Sequence, residues 1–379
     1  MIIMDAKRVL HMTKLGPGGI STLTVNIQSL LDRELVNFDY LVFDSSPTFY
    51  EEKVYSLNGK KQIVDVLRYN NNKLLLYYKK YIGAKELIKK EHYDIVHVDA
   101  STPMDVVIGI AAKHAGAKVR ILHSHIAGDN KHSYIRSIYL QICRFAMRSV
   151  FTDYFSISVS AAEFMFPKAV VKNNSYQLIK NGIIADRYRF DKNERKRERN
   201  RLGLKDKYVI GHVGRFSQEK NHLFLIDVFN SIKSKNRDAR LLLIGEGQLK
   251  ENVQKRVAEL GLEKDVILYG TSQEIPSLLS AMDVFVFPSK YEGLGLAAIE
   301  AQCSGLPTIC SEGIPEEANI TDLFKRVQGY NCETWAKTIL TESIDETRRD
   351  RIEDIKNAGY DLKEVANYLQ NFYISKSST

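Results

Sequence analysis

One passage, Val284 to Pro307, leaves this chain few folds to choose from. Val284-Phe285-Val286-Phe287 is an unbroken apolar run of β-branched and aromatic residues. Such a run, without polar alternation, suits a strand buried on both faces of a parallel sheet. Good helix formers follow, with Leu296, Ile299 and Ala301 among them, until Gly305 and Pro307 stop the helix. Between strand and helix lies Glu292-Gly293-Leu294-Gly295. In an open α/β sheet this turn sits at the carboxyl ends of the strands, where ligands bind. The first amides of a helix lack partners within it and carry the positive end of its macrodipole, so they suit an anion such as a phosphate. The glycines let a ligand come close to the backbone.

Two carboxylates flank this anion site, Glu292 and Glu300, with seven residues between them. A phosphate alone gives them no role. A ligand that also carries hydroxyls does, because carboxylates accept hydrogen bonds from sugar or ribose diols. The plainer reading makes Glu292 a residue matched to the helix dipole and Glu300 a solvated helix position. Against it, Ala297 to Cys303 holds few other polar residues.

Glu292 to Glu300 resembles the E-x7-E motif of retaining GT-B glycosyltransferases of family 4. The phrase Tyr291-Glu292-Gly293-Leu294, Ile299-Glu300-Ala301-Gln302, Ser304-Gly305-Leu306-Pro307 is similar to their capsular and exopolysaccharide branch, and departs from it at Gly295-Leu296-Ala297. The resemblance implies an α/β fold of two Rossmann-like domains facing across a cleft. An acceptor-side domain is expected over 1–185, a nucleotide-sugar domain over 186–358, and a C-terminal helix over 359–379 that crosses back to the first domain. It also implies a retaining hexosyl transfer from a nucleoside-diphosphate sugar to a hydroxyl.

Elsewhere strands, loops and helices alternate. Arg8 to Met12 reads as the first strand, and Lys14 to Ile20 as a glycine-rich turn that is neither G-x-G-x-x-G nor a P-loop. Alone it is a tight strand-to-helix connection or a ligand loop; the resemblance carries Gly18 and Gly19 over as donor-binding. Val119 to His125 is a strand ending in a loop, and histidines there are structural, a metal pair, or part of a ligand site. No third ligand is evident nearby, so no metal is expected. The branch has a similar Arg-x-x-His-Ser-His phrase, here Arg120 to His125, which implies donor- or acceptor-side roles for His123 and His125, with His123 catalytic. Ser158 matches a family serine at a strand end and joins them on the acceptor side.

The helix expected over Lys131 to Ser149 puts Ile135, Ile138, Tyr139, Ile142 and Phe145 on one face and Arg136, Arg144 and Arg148 on the other. It is either a core helix with a solvated basic side or a helix presenting charge to anionic lipid. Asp191 to Arg201 reads as a solvated, charged helix.

The second half repeats the α/β pattern. Tyr208 to Gly214 is a strand, followed by Arg215 and Lys220, five positions apart. A guanidinium fork and an ammonium point charge at a strand's carboxyl end can neutralise a diphosphate. They match the family's G-R-x4-K signature, which implies catalytic roles for Arg215 and Lys220 beside Glu292. The resemblance extends donor binding to Gly214, Gly245, Thr271, Ile275, Gly293, Leu294, Gly295, Leu296 and Glu300, with the base held mostly by backbone between Thr271 and Pro276. Thr308 to Ser311 is expected to be the last strand, and Tyr360 to Tyr373 the terminal helix.

At 379 residues the chain is long enough for two α/β domains. Four cysteines without a C-x-x-C pair suggest free buried thiols in a reducing compartment. Met1 to Leu10 carries Asp5, Lys7 and Arg8 and is no signal peptide, and no apolar run approaches the roughly 20 residues of a membrane span. A formal charge of +8 suits a nucleic acid, a nucleotide or an anionic membrane, and no nucleic-acid-binding motif accompanies it. The expected partners are a UDP-linked sugar, a glycan or lipid-linked acceptor and an anionic membrane surface. The expected location is cytoplasmic, peripheral on the inner face of the plasma membrane. No cofactor is expected, and with no D-x-D in the chain, no catalytic metal. Rival readings are a GT-B nucleotide-sugar epimerase and a non-catalytic nucleotide-sugar-binding subunit; a dehydrogenase is disfavoured by the missing G-x-G-x-x-G.

Overall fold

The computed structural model describes residues 6–16, 18–69, 71–125, 134–342 and 348–376, the side chains of 134–137 excepted. The chain divides into two compact units, one of Met1–Gly182 with Leu362–Thr379, the other of Ile183–Asp361.

The first unit contains β1 (Lys7–Met12), β2 (Val36–Val42), β3 (Lys61–Ile63), β4 (Ile95–Ala100), β5 (Val119–Ser124), β6 (Asp153–Ser156) and β7 (Gln177–Leu178). Among the described residues they form one parallel seven-stranded sheet in the order β3-β2-β1-β4-β5-β6-β7. β2 and β4 are buried at every position, as strands covered by helices on both faces must be. The chain steps outward from β1 to β3, then crosses to the other side of β1 to lay down β4. That reversal opens a crevice between the carboxyl ends of β1 and β4.

The terminal helix Leu362–Lys376 belongs to this unit. Its buried residues Leu362, Ala366, Leu369 and Tyr373 recur at helical spacing, and it packs on the helix Gly19–Leu30 and on β1 and β2. Burying a leucine of this kind is worth about 1.5–3 kcal/mol relative to exposure.

The second unit contains β8 (Tyr208–Val213), β9 (Ala239–Ile244), β10 (Val266–Gly270), β11 (Val284–Phe287), β12 (Thr308–Ser311) and β13 (Phe324–Val327). Among the described residues they form a parallel sheet in the order β10-β9-β8-β11-β12-β13, which reverses between β8 and β11. On β11, Phe285 and Phe287 face one hydrophobic core and Val284 and Val286 the other, so the unbroken apolar run serves both layers. The following helix, Leu296–Cys303, begins after Gly295 at φ +86° and ends before Gly305 at φ +74°.

Several expectations are corrected. β13 follows the strand expected to be last, and β3 and β7 are short edge strands without a clear apolar signal. The helix Lys73–Lys90 starts where the Asn72 side chain accepts from the Leu75 amide at 3.1 Å. The helix Tyr134–Val150 buries Leu140, Cys143, Met147 and Val150, whereas Ile138, Tyr139, Ile142 and Phe145 are exposed. Both stripes have helical spacing, so periodicity does not choose between them. Arg144 is half-buried and donates to the Phe164 carbonyl; Ile135 and Arg136 lie outside the described side chains. The charged helix Lys192–Arg201 is not wholly solvated: Arg195 and Arg199 turn inward to the buried Asp283, which also accepts from the Val209 amide at 2.7 Å. Cys332 is half-buried, while Cys143, Cys303 and Cys310 are buried. No described helix is long and apolar enough to cross a membrane.

Candidate active site

In the second unit the sheet reversal decides which loops meet. β8 pairs with β11, Ile210 beside Val284, so the loops leaving both strands lie side by side. Lys220 leaves the β8 loop and Glu292 the β11 loop, and the ammonium donates to Glu292 Oε1 at 2.5 Å. Lys220 Nζ also lies 5.0 Å from the centre of the Phe287 ring. The loops are tied further by Lys290 N to the Glu219 carbonyl at 2.7 Å and Asn221 Nδ2 to the Pro288 carbonyl at 3.3 Å. Asn221, at φ +58°, caps the helix His222–Lys235 from the left-handed region, which asparagine tolerates. The Glu292 amide donates to the Gly313 carbonyl at 3.0 Å. A Cβ on Gly313 would lie 2.3 Å from the Lys290 carbonyl oxygen, so the turn after β12 must be glycine for the β11 loop to sit where it does.

Behind Lys220 the ground is neutral. His212 and His222 are buried, with ring centroids 4.6 Å apart, and His212 Nδ1 meets the Val286 carbonyl at 2.8 Å. Burial, then the nearby Lys220, lowers His222 to about 4. Lys220 therefore brings the cationic charge forward while the layer beneath it carries none. Arg215 is exposed on the same loop, and its charge together with that of Lys220 helps lower the Glu219 carboxyl, though less than the Ser217 hydrogen bond does.

Glu300 sits one helix further in. It is partly buried, and Tyr188 O–H donates to its Oε1 at 2.7 Å. Desolvation raises its carboxyl to about 7, against the pull of the Tyr188 hydrogen bond and the Arg187 charge. It is therefore not the solvated helix residue of the plainer reading. Gly293 is exposed, Gly295 buried, and Leu294 and Leu296 half-buried against the core beneath Phe287.

Gly214 and Gly245 end β8 and β9. A Cβ on Gly245 would lie 2.0 Å from the Gly214 carbonyl oxygen, and Gly245 sits at φ +143°. The two strand ends thus pack backbone on backbone. Thr271 and Ile275 lie two strands from β8, after β10; Thr271 is exposed and Ile275 half-buried. The structure thus brings Lys220 and Glu292 into contact, ties their loops together, and leaves Thr271 and Ile275 at the far end of the strand row.

In the first unit Gly18 and Gly19 open the helix Gly19–Leu30, and a Cβ on either would meet nothing within 4 Å. Packing therefore does not require glycine there. Ser158 caps the helix Val159–Met165, its side chain accepting from the Ala161 amide at 3.1 Å. His123 and His125 are only 2% and 7% exposed. The expectation that no third metal ligand lies near them is corrected: β4 brings His97 and Asp99 alongside. Asp99 accepts from His11 Nδ1 at 2.9 Å and from His125 Nε2 at 3.0 Å, and His97 Nδ1 pairs with Tyr373 O–H at 2.7 Å. Desolvation drives His97 and His123 well below the usual imidazole range. The imidazoles hold the Asp99 carboxyl well below its own range despite burial. No sequence motif links 11, 97, 99 and 373; the alternation of His97 with Asp99 along one strand face was the readable signal.

Residues 194–360 match the family described as glycosyl transferases group 1. EpsF of Bacillus subtilis, described as a glycosyltransferase, is 30% identical over 375 residues, covering 97% of this chain and 96% of that protein. The capsular polysaccharide biosynthesis glycosyltransferase CapH of Staphylococcus aureus is 25% identical over 98% of this chain and 99% of its own length. The crystal structure of Anabaena HepE in complex with UDP is similar in fold, with TM-score 0.74 at 18% identity, covering 98% of this chain and all of that one. The doubly wound α/β architecture of both units is the GT-B fold expected from the resemblance.

Proposed function

This chain belongs to the family of glycosyl transferases group 1, and on that premise we propose that it is a retaining hexosyltransferase of capsular or exopolysaccharide synthesis. It moves a hexose or N-acetylhexosamine from a UDP-linked sugar to a hydroxyl of a glycan or lipid-linked acceptor. The observation that carries the reading is the contact of Lys220 with Glu292 at the β8/β11 reversal, beside the start of the helix Leu296–Cys303. A strand-end crevice with a cation, a helix N-terminus and carboxylates fits a ligand that is part diphosphate and part polyol. The relatives named for polysaccharide synthesis and the UDP bound by HepE support this choice of ligand.

In this reading Lys220, Arg215 and the first amides of the helix take the charge that builds on the departing diphosphate, without a metal. Glu292 lies near the transferred sugar, and Glu300 accepts from the ribose hydroxyls. The bond from the anomeric carbon to the diphosphate breaks as the acceptor oxygen bonds on the same face, and the leaving phosphate oxygen takes the acceptor proton. The donor is bound mainly by the second unit. The acceptor is bound by the first. The exposed Ile138, Ile142 and Phe145, with Arg148 on the same helix, suit the interface of an anionic bilayer, where a lipid-linked acceptor resides.

Incubation of the purified chain with a panel of nucleotide sugars, with and without lipid-linked and glycan acceptors, tests this. Acceptor-dependent release of UDP with an α-linked product is expected. Sugar released or rearranged from donor alone marks an epimerase, and binding without turnover marks a regulatory subunit.

A further inference from the structure

We propose that the first unit carries a closed site for a tetrahedral divalent cation of the zinc class, with His97, Asp99, His123 and His125 as its four ligands. β4 and β5 are neighbours in register, Asp99 opposite His123. His97 and Asp99 are two apart on β4, and His123 and His125 two apart at the end of β5, so all four side chains share one face of the sheet.

The distances between ligand atoms carry the argument. Asp99 Oδ1 lies 3.0 Å from His125 Nε2, 3.7 Å from His97 Nε2 and 3.9 Å from His123 Nδ1, and His97 Nε2 lies 3.2 Å from His123 Nδ1. The ligand atoms of Asp99, His123 and His125 all fall within 4.8 Å of one another. Zinc holds nitrogen and oxygen at about 2.0–2.1 Å, which makes the edge of its ligand tetrahedron about 3.3 Å. Four of the six edges of that tetrahedron are thus 3.0–3.9 Å long, on either side of this value. All four side chains are buried.

Two of the four ligands are held from outside the site. His11 Nδ1 donates to Asp99 Oδ2 at 2.9 Å and so orients the carboxylate whose other oxygen faces the three imidazoles. The Tyr373 hydroxyl holds His97 Nδ1, which leaves Nε2 turned to the site. Three imidazoles and one carboxylate favour zinc-class ions over magnesium or calcium, which prefer oxygen. With four protein ligands no position remains for substrate, so the ion's role is structural, pinning the ends of β4 and β5.

The full chain, purified without a polyhistidine tag and stripped of metal, is titrated with zinc against a chromophoric chelator, and separately with cobalt(II). One equivalent of zinc and the intense visible absorption of tetrahedral cobalt are expected. Zinc affinity should fall by about tenfold or more in His97→Ala and Asp99→Ala, and by about 10–100-fold in the milder His11→Gln. A folded wild-type chain that takes up no zinc, or gives only the weak bands of octahedral cobalt, overturns the site. So does zinc uptake undiminished in both ligand variants. Should the ligand variants fail to fold, the wild-type cobalt spectrum decides.

Discussion

Lys220 and Glu292 are 72 residues apart in the chain and share a hydrogen bond of 2.5 Å. In the proposed function the lysine contacts the diphosphate of the ligand and the glutamate its sugar. The two side chains are each other's partner. The carboxylate holds the ammonium in place over the Phe287 ring, so a diphosphate meets a cation already positioned. To bind, it must share or replace Glu292 as the partner of Lys220.

Lys220→Ala and Arg215→Ala should each weaken UDP binding. A charge-assisted hydrogen bond is worth about 1.5–3 kcal/mol, or roughly 10–150-fold in affinity. Lys220→Ala should be the more damaging, because it also leaves the Glu292 carboxylate unpaired beside the phosphate site. Calorimetry with UDP reads both, and unchanged affinity in both variants removes the diphosphate assignment.

The two glutamates should separate kinetically. Glu292→Gln should lower kcat, since a carboxylate near the reacting carbon gains importance as positive charge develops there. It should leave UDP affinity intact or tighten it, because Lys220 is released from its partner. Glu300→Gln should chiefly raise the donor KM, as a ribose contact is equal in ground and transition states. If Glu292→Gln weakens UDP as much as Glu300→Gln does, the roles are misassigned.

UDP affinity should depend on pH through Glu300. Burial raises its carboxyl to about 7, and a ribose diol donates better to the ionised form. Affinity should therefore rise with pH up to about 7 and level off above it, and Glu300→Gln should flatten the profile. The same shift acts on stability. The folded chain holds this proton to a higher pH than the unfolded chain, whose glutamates titrate near 4.3, so the contribution to stability falls as pH rises between the two values. Glu300→Gln should raise Tm more at pH 8 than at pH 5, which calorimetric scans at the two pH values would show.

Gly245→Ala should destabilise the second unit. The added Cβ would meet the Gly214 carbonyl oxygen at 2.0 Å, at a φ of +143° that side chains rarely adopt. A strained backbone position costs about 1–3 kcal/mol. Gly18→Ala, with open space around its Cβ, should leave Tm unchanged. Equal melting of the two variants would refute the contrast.

Liposome sedimentation addresses the exposed stripe on the helix Tyr134–Val150. Ile142→Ser with Phe145→Ser should reduce binding to anionic vesicles, and Arg148→Gln should reduce it mainly at low salt. Binding that none of these substitutions alters places the membrane contact elsewhere or removes it.

Whatever is local along the chain could be read from the residues alone. The run Val284 to Phe287 reads as a two-sided strand because nothing in it is polar, and the helix after it ends where Gly305 and Pro307 stand. Arg215, Lys220, Glu292 and Glu300 stand out because charge at a strand's carboxyl end needs a reason. What the residues do not contain is the order of the strands. That β8 lies beside β11 follows from crossovers and packing across the whole second unit, and only that order brings Lys220 to Glu292. The same cause hid the cluster at Asp99, whose members come from β1, β4, β5 and the terminal helix. It also hid the clamp of Arg195 and Arg199 on Asp283, within a run that reads as solvent-facing charge. The helix Tyr134–Val150 offers two stripes of equal periodicity, and only its neighbours decide which one is buried. Periodicity and propensity act over a few residues; burial and partnership are settled by surfaces that meet after the chain has folded.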